Sequence, residues 1–170
     1  MPVVPVLVDT NVILEAHRTN AWRALRGGLW LETVEACIVE TQTGAQRRRP
    51  EQRIDEATLR ADFKSVHRVT ERERAVLMAR DEFVMSLDPG ELALWSHAFG
   101  RADAWVLCGP DRASLRLGIR LGLAQRLVAL EDLLAQVGRN PTPVLRPAYC
   151  SAWHRQTLAR LAQEEGINPV

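Results

Sequence analysis

The stretch that decides the fold is Val6-Leu7-Val8-Asp9-Thr10-Asn11, near the start of the 170-residue chain. A continuous run of strand-forming apolar residues is typical of a central parallel strand that is covered on both faces. Asp9 then stands at the carboxyl end of that strand, where open α/β sheets hold their sites. Thr10 or Asn11 can begin the following helix. From this stretch alone, Asp9 is either the first ligand of a hard cation or an ordinary capping residue.

The composition indicates a single domain with balanced charge. The net charge is +1, so no global field favours nucleic acid or a membrane. Lys64 is the only lysine, which leaves almost no candidate for a Schiff-base or P-loop lysine. The three cysteines and four histidines have neither a disulfide nor a metal-ligand spacing, which favours a reducing compartment. The chain has no signal peptide and no apolar run of membrane-spanning length, so we expect a cytoplasmic protein.

Strand and helix signals alternate along the chain, which favours an α/β fold with a largely parallel sheet. Further strands are expected at residues 29–31, 65–69, 104–108 and 127–130. The residues alone also predict a helix that begins at Thr33 and runs towards Pro50. Two strong helix starts follow, the capping box Thr70-Glu71-Arg72-Glu73 and the segment Asp88-Pro89-Gly90-Glu91.

The chain is expected to divide at residue 139. Residues 1–139 hold the alternating strands and helices, and residues 140–147 are proline-rich and typical of a strap across the surface. A final helix is expected from Tyr149 to Glu165. Residues 140–170 are therefore expected to form a strap and a helix packed on the first domain. We expect the apolar helix faces of Trp95 or Trp153 to support a homodimer.

Four acidic residues fall at comparable places in the predicted fold. Asp9 and Asp111 each follow a strand, Glu40 lies in a helix with apolar neighbours, and Glu91 lies in the first turn of a later helix. If the two strands are adjacent and parallel, Asp9 and Asp111 lie side by side. Carboxylates gathered in one cleft repel and raise one another's pKa unless a cation neutralises them. Oxygen ligands select Mg²⁺ or Mn²⁺ over zinc.

These segments resemble the PIN domain, a family of metal-dependent ribonucleases that includes the VapC-type toxins. The resemblance rests on Val8-Asp9-Thr10-Asn11, the segment from Thr33 to Glu40, Gly90-Glu91 before an apolar helix, and the segment from Val106 to Asp111. It covers residues 3 to 137. It implies a three-layer sandwich with a central, largely parallel sheet flanked by helices, here with a C-terminal helical extension. It also implies a strand, not a helix, at the start of the Thr33 segment.

The resemblance implies an Mg²⁺- or Mn²⁺-dependent endoribonuclease that hydrolyses RNA phosphodiester bonds. By that analogy Asp9, Glu40, Glu91 and Asp111 are the metal-binding and catalytic residues. Thr10 and Asn11 would orient the ligands or the substrate. The metal would activate water and stabilise charge on the phosphate. An antitoxin protein is the partner implied if the chain is the toxin of a toxin–antitoxin pair.

Each of these residues also has a structural interpretation. Glu40 is otherwise a solvent-facing helix residue, Glu91 a first-turn acid that suits the helix dipole, and Asp111 an N-cap. Asp88 is expected to be a cap and not a ligand. The arginines Arg47, Arg48, Arg49 and Arg53 either form a solvated helix end or contact RNA phosphates without reading sequence.

Two other functions stay open. A non-catalytic PIN-like module that binds RNA or protein is favoured by Cys108-Gly109-Pro110, where the family often has Thr, Ser or a further acid. A phosphotransfer enzyme of the haloacid-dehalogenase or response-regulator type also has a strand that ends in Asp. The former needs a second Asp where Asn11 stands, and both need a late lysine, but none follows Lys64.

Overall fold

The computed structural model of the chain describes residues 3–43 and 53–167. Its centre is one sheet of five parallel strands: β1 (Val6–Val8), β2 (Leu31–Val34), β3 (Ser65–His67), β4 (Val106–Cys108) and β5 (Leu127–Val128). The strand order is β3-β2-β1-β4-β5. β1 and β4 are neighbours, with Val8 opposite Cys108. Because every pairing is parallel, all five carboxyl ends lie at one edge of the sheet.

Helices connect the strands. In the described part of the chain they are α1 (Thr10–Arg18), α2 (Trp22–Gly28), α3 (Glu35–Gln42), α4 (Glu56–Asp62), α5 (Glu71–Arg80), α6 (Pro89–Phe99), α7 (Arg112–Arg120), α8 (Leu130–Gln136) and α9 (Ser151–Glu164). Short 3₁₀ turns cover Glu82–Ser86, Ala124–Arg126 and Pro147–Tyr149. Both predicted helix starts are confirmed, since Thr70 and Asp88 each form a complete capping box with the glutamate three residues later.

A separate apolar core covers each face of the sheet. In β1, Val6 and Val8 point into one core and Leu7 into the other, as the two-residue period of a strand requires. The first core contains residues of α1, α2, α4 and α8. The second contains residues of α5, α6, α7 and α9. The prediction of an α/β sandwich with helices on both faces of a parallel sheet is therefore confirmed.

The helix predicted to begin at Thr33 is wrong. Thr33 lies inside β2, and α3 begins only at Glu35. The hydroxyl of Thr33 is fully buried and donates a hydrogen bond of 2.8 Å to the carbonyl oxygen of Val8 in β1. β-branched residues suit this position in a strand, and the bond to a neighbouring strand fixes it there.

The dimer face suggested for Trp95 is also wrong. The Trp95 side chain has no exposed surface, and its indole N–H donates to the hydroxyl of Ser114 at 2.8 Å. It belongs to the second core, so it is not available to another subunit. Trp153 packs partly buried against the same core.

The C-terminal segment adds residues to both cores. Leu145 and Tyr149 join the first core, and Leu161 and Ala162 in α9 join the second. The division at residue 139 stays a prediction. Within residues 3–43 and 53–167, no helix combines the length and the apolar character that crossing a bilayer requires.

Candidate acidic site at the carboxyl edge of the sheet

Asp9 is buried where β1 ends. Its backbone N–H donates to the carbonyl oxygen of Cys108 at 3.2 Å, which continues the pairing of β1 with β4. Its Oδ1 accepts a 2.8 Å hydrogen bond from the backbone N–H of Val12, so Asp9 caps α1. A Cβ atom at Gly109 would lie 2.9 Å from Oδ2 of Asp9. The Asp9 carboxylate thus lies between the start of α1 and the backbone of Gly109, which follows β4.

Glu40 joins three elements of the fold. Its Oε2 accepts a 2.6 Å hydrogen bond from the hydroxyl of Thr10 at the start of α1. Its Oε1 accepts a 2.9 Å bond from the backbone N–H of Gly90 in the first turn of α6. Glu40 is therefore not an ordinary solvent-facing helix residue. Thr10 holds the Glu40 carboxylate in place.

Glu91 is buried at the start of α6. Its Oε2 accepts from the backbone N–H of Asp88 at 3.2 Å, and its own N–H donates to Oδ1 of Asp88 at 2.8 Å. Its Oε1 is buried and has no donor among the described residues, and the nearby carboxylate of Asp111 can bond to Glu91 only through a proton. Burial, followed by the charges of Asp111 and Asp88, raises the pKa of Glu91 to about 9. Glu91 fills a capping position and also forms part of a group of acids.

Asp88 has the capping role expected of it, and Asp111, predicted as a ligand, is also an N-cap. Oδ1 of Asp111 accepts from the backbone N–H of Ala113 at 2.7 Å and caps α7, while Asp88 caps α6. The charges of both carboxylates nevertheless raise the pKa values of the buried acids Asp9 and Glu91. Burial is the main cause that raises the pKa of Asp9 to about 7. The charges of Asp88, Asp111 and Glu40 raise this pKa further, whereas the hydrogen bond from Val12 lowers it. Sequence analysis gave Asp88 no place in the site.

Five acids thus share one edge of the sheet: Asp9, Glu40, Asp88, Glu91 and Asp111. In the described part of the chain, none of the five forms an ion pair with a basic side chain. Each of the four predicted ligands accepts a hydrogen bond from a backbone N–H at a helix start. The positive ends of α1, α6 and α7 therefore supply partial compensation.

The acids lie near one another but do not form a closed ligand set. Among residues 3–43 and 53–167, the one group of three His, Cys, Asp or Glu side chains whose ligand atoms all lie within 4.8 Å is Glu32, His67 and His97. Separate backbone hydrogen bonds hold Asp9, Glu40 and Asp111 at three different helix starts. A cation would have to draw them together.

No protein-family model matches the chain, and no similar sequence is found among curated proteins. The resemblance to the PIN domain therefore stays a prediction. The residues of the site carry the functional argument on their own.

The remaining predicted site residues line a separate groove or lie outside the described residues. Asn11 is exposed and lines a groove of about 630 Å³ together with Arg18, Arg53 and Arg146. Arg47, Arg48 and Arg49 lie outside the described residues, so their contact with RNA stays a prediction. Asp103 is an exposed loop residue paired with Arg101.

Sequence analysis missed the group of Glu32, His67 and His97 entirely. Its members come from β2, β3 and α6, and at least 30 residues separate any two of them. The one local signal was the spacing of His97 and Arg101, which lie four residues apart across the end of α6.

Proposed function

We propose that the chain is a divalent-metal-dependent ribonuclease with a PIN-like site formed by Asp9, Glu40, Glu91 and Asp111. The observation that carries the proposal is the burial of two carboxyls, Asp9 and Glu91, among further acids with no basic partner in the described residues. Burying a charge without compensation is costly. A cation at this edge would remove the cost, and all its ligands would be oxygens, which suits Mg²⁺ or Mn²⁺.

The unpartnered oxygen of Glu91 supports the fit of a cation. Buried polar atoms in native proteins nearly always have a partner, so a buried carboxylate oxygen without one needs an explanation. In the metal-free protein, a pKa of about 9 means that Glu91 carries a proton at neutral pH. Glu91 and Asp111 would both hold a divalent ion, whose binding would release that proton.

Hydrolysis suits the side chains present. A bound Mg²⁺ or Mn²⁺ would lower the pKa of a coordinated water and stabilise charge on the phosphate. The water oxygen would bond to phosphorus, the bond from phosphorus to the leaving ribose oxygen would break, and a proton replacing the one lost by the water would end on that ribose oxygen. Before an ion binds, Thr10 and Gly90 orient Glu40, and Val12 orients Asp9. RNA is the proposed substrate, with Arg47, Arg48, Arg49 and Arg53 as proposed phosphate contacts.

The proposed partners follow from the same charges. An antitoxin protein that placed an arginine among these acids would form charge-assisted hydrogen bonds with them and block the site.

A cytoplasmic location is proposed because Cys37, Cys108 and Cys150 are all free thiols.

A non-catalytic PIN-like module that binds RNA or protein is the second candidate. The observation that favours it is that the four predicted ligands do not bring three ligand atoms within 4.8 Å of one another in the described structure. Cys108-Gly109-Pro110 favours it too, because those residues add no further ligand after β4.

The test compares Asp9→Asn with Asp103→Asn after removal of bound metal with EDTA. Asp103 is a matched control because it is an exposed carboxylate outside the acidic site. We expect wild type and Asp103→Asn to cleave labelled single-stranded or structured RNA in Mn²⁺. Asp9→Asn should lose more than about a hundredfold in rate, since even residues behind a ligand cost 10- to 100-fold.

Calorimetric titration with Mn²⁺ separates the two candidates. Mn²⁺ binding with cleavage that depends on Asp9 supports the nuclease. A folded wild type that binds no Mn²⁺ and cuts no RNA overturns it and leaves the binding module.

A further inference from the structure

We propose that Glu32, His67 and His97 form a second metal site, specific for Zn²⁺ or a similar transition metal, in which the ion exchanges with the guanidinium of Arg101. The site is separate from the acidic one. His97 lies in the last turn of α6, six residues beyond Glu91, and therefore about 9 Å farther along the helix axis. The proposal does not depend on the proposed nuclease function.

The three side chains already meet in the structure. Nε2 of His67 lies 2.8 Å from Oε2 of Glu32, and the two imidazole rings of His67 and His97 stack with centroids 3.9 Å apart. One ligand atom from each of the three residues falls within 4.8 Å of the other two. Two imidazoles and one carboxylate are a common zinc ligand set.

Arg101 occupies the place of a cation in this group. Its Nη1 donates to Oε2 of Glu32 at 2.6 Å and lies 3.1 Å from Nε2 of His97. Arginine can only donate, so Nε2 of His97 must accept and present its lone pair. The atoms that would bind a metal are therefore the same atoms that now surround a positive charge.

Neighbouring residues orient the ligands from behind, as metal ligands require. The indole N–H of Trp30 donates to Oε1 of Glu32 at 2.8 Å, which leaves Oε2 to face the group. Nδ1 of His97 lies 3.5 Å from Oε1 of Glu73. Glu73 is itself fixed by the backbone N–H of Thr70 at 2.7 Å. This carboxylate–histidine pairing places the proton on Nδ1 and directs Nε2 inward.

Arg101 can leave without losing all its partners. Its Nε and Nη2 donate to Asp103, at 2.9 and 2.6 Å, and Asp103 is exposed. Because Arg101 follows the end of α6, its guanidinium can rotate outward with Asp103. The proton that His67 shares with Glu32 through Nε2 would move to Nδ1 or leave with metal binding.

The imidazole nitrogens of His67 and His97 determine which metal ions the site would bind. Imidazole suits zinc, copper, iron and nickel, while Mg²⁺ and Mn²⁺ prefer oxygen. Three protein ligands leave one position of a tetrahedral zinc site to solvent or another ligand. His67, with a quarter of its side chain exposed, gives the ion a route in from solvent.

The test is Zn²⁺ titration of the full chain against a chromophoric chelator, with Co²⁺ absorption as a second probe. We expect one Zn²⁺ per chain at this site and a Co²⁺ spectrum without thiolate charge-transfer bands. His97→Gln should weaken Zn²⁺ binding by more than about a hundredfold, and Glu73→Gln by about 10- to 100-fold. Arg101→Gln should bind Zn²⁺ more tightly than wild type, because the competing cation is gone.

The same Zn²⁺ titration includes two control variants and one double variant. His154→Gln removes a buried histidine outside the group, and Asp9→Asn removes an acid of the other site; neither should alter Zn²⁺ affinity. Glu32→Gln leaves Arg101 without its buried partner, so the double variant Glu32→Gln/Arg101→Gln keeps the charge balance and should still lose binding. Unchanged affinity in His97→Gln and in the double variant overturns the proposal. So does a failure of both wild type and Arg101→Gln to bind Zn²⁺.

Discussion

The close approach of Gly90 to Glu40 gives the sharpest mutational prediction. A Cβ atom at Gly90 would lie 2.7 Å from both Cδ and Oε1 of Glu40, and closer still to Oε2. Real Cβ atoms do not approach other atoms this closely, and the Glu40 carboxylate is anchored at both oxygens. Gly90→Ala should therefore push the carboxylate out of its position at the sheet edge.

The magnitude follows from opposing contributions. Alanine gains up to about 1 kcal/mol over glycine in a helix. Against this, displacing Glu40 breaks its bond from the Gly90 N–H, and a hydrogen bond to a charged group contributes about 1.5–3 kcal/mol. The Thr10 hydroxyl loses its 2.6 Å bond to Glu40 as well, at about 1 kcal/mol, and keeps only the 3.3 Å bond to the carbonyl oxygen of Cys37. The free energy of unfolding should fall by about 1.5–3 kcal/mol.

The assay is urea unfolding of the metal-free protein, with Gly27→Ala as the matched control. Gly27 lies in α2, and a Cβ atom there would meet nothing within 4 Å. Gly27→Ala should therefore raise the unfolding free energy by up to about 1 kcal/mol. Gly90→Ala should also lower Mn²⁺-dependent RNA cleavage. If Gly90→Ala is as stable as Gly27→Ala and fully active, the contact between Gly90 and Glu40 does not constrain the site.

Two further predictions concern buried carboxylates. Burial and nearby acids raise the pKa of Asp9 from 3.8 to about 7. Below pH 3.8 the carboxyl is protonated in both the folded and the unfolded protein and does not lower the unfolding free energy. As the pH rises through 7, the folded protein is forced to hold a buried charge, and the unfolding free energy falls. The unfolding free energy of metal-free Asp9→Asn should match wild type near pH 4 and exceed it by up to about 4 kcal/mol at pH 9; a difference that does not grow with pH contradicts this. Glu15→Gln should cost about 2–3 kcal/mol in chemical unfolding, because the buried Glu15 accepts from Arg18 at 2.6 Å and from the Arg146 N–H at 2.8 Å. An unchanged unfolding curve would mean that apolar contacts alone hold the C-terminal segment.

Sequence could predict the edge of the sheet but not the arrangement around it. The apolar runs before Asp9 and Asp111 indicated two strands, and a parallel sheet brings the ends of adjacent strands together. The helix predicted from Thr33 failed because its local signal is a weak cap, whereas the bond from Thr33 to Val8 comes from another strand. Local pattern cannot show a contact between residues 25 positions apart.

The roles of Asp88 and of the histidines were hidden for different reasons. Asp88 satisfies every expectation for an N-cap, so its local role concealed the effect of its charge on Asp9 and Glu91. His67 and His97 meet only because β3 lies at one end of the strand order, where α6 reaches it. Metal-ligand spacing in sequence detects ligands on one element, and these ligands lie on three.

The glycine after β4 bears on whether the acidic site is competent. The sequence comparison with the PIN domain counted Cys108-Gly109-Pro110 against the site, because the segment lacks a further ligand. In the structure, a Cβ atom at Gly109 would lie 2.9 Å from Oδ2 and 3.2 Å from Cγ of Asp9. A serine, threonine or acid at residue 109 would therefore press on the buried carboxylate and force it to move. With Asp9 in this position, the residue that best preserves its geometry is glycine, so the departure from the family pattern is compatible with a site centred on Asp9.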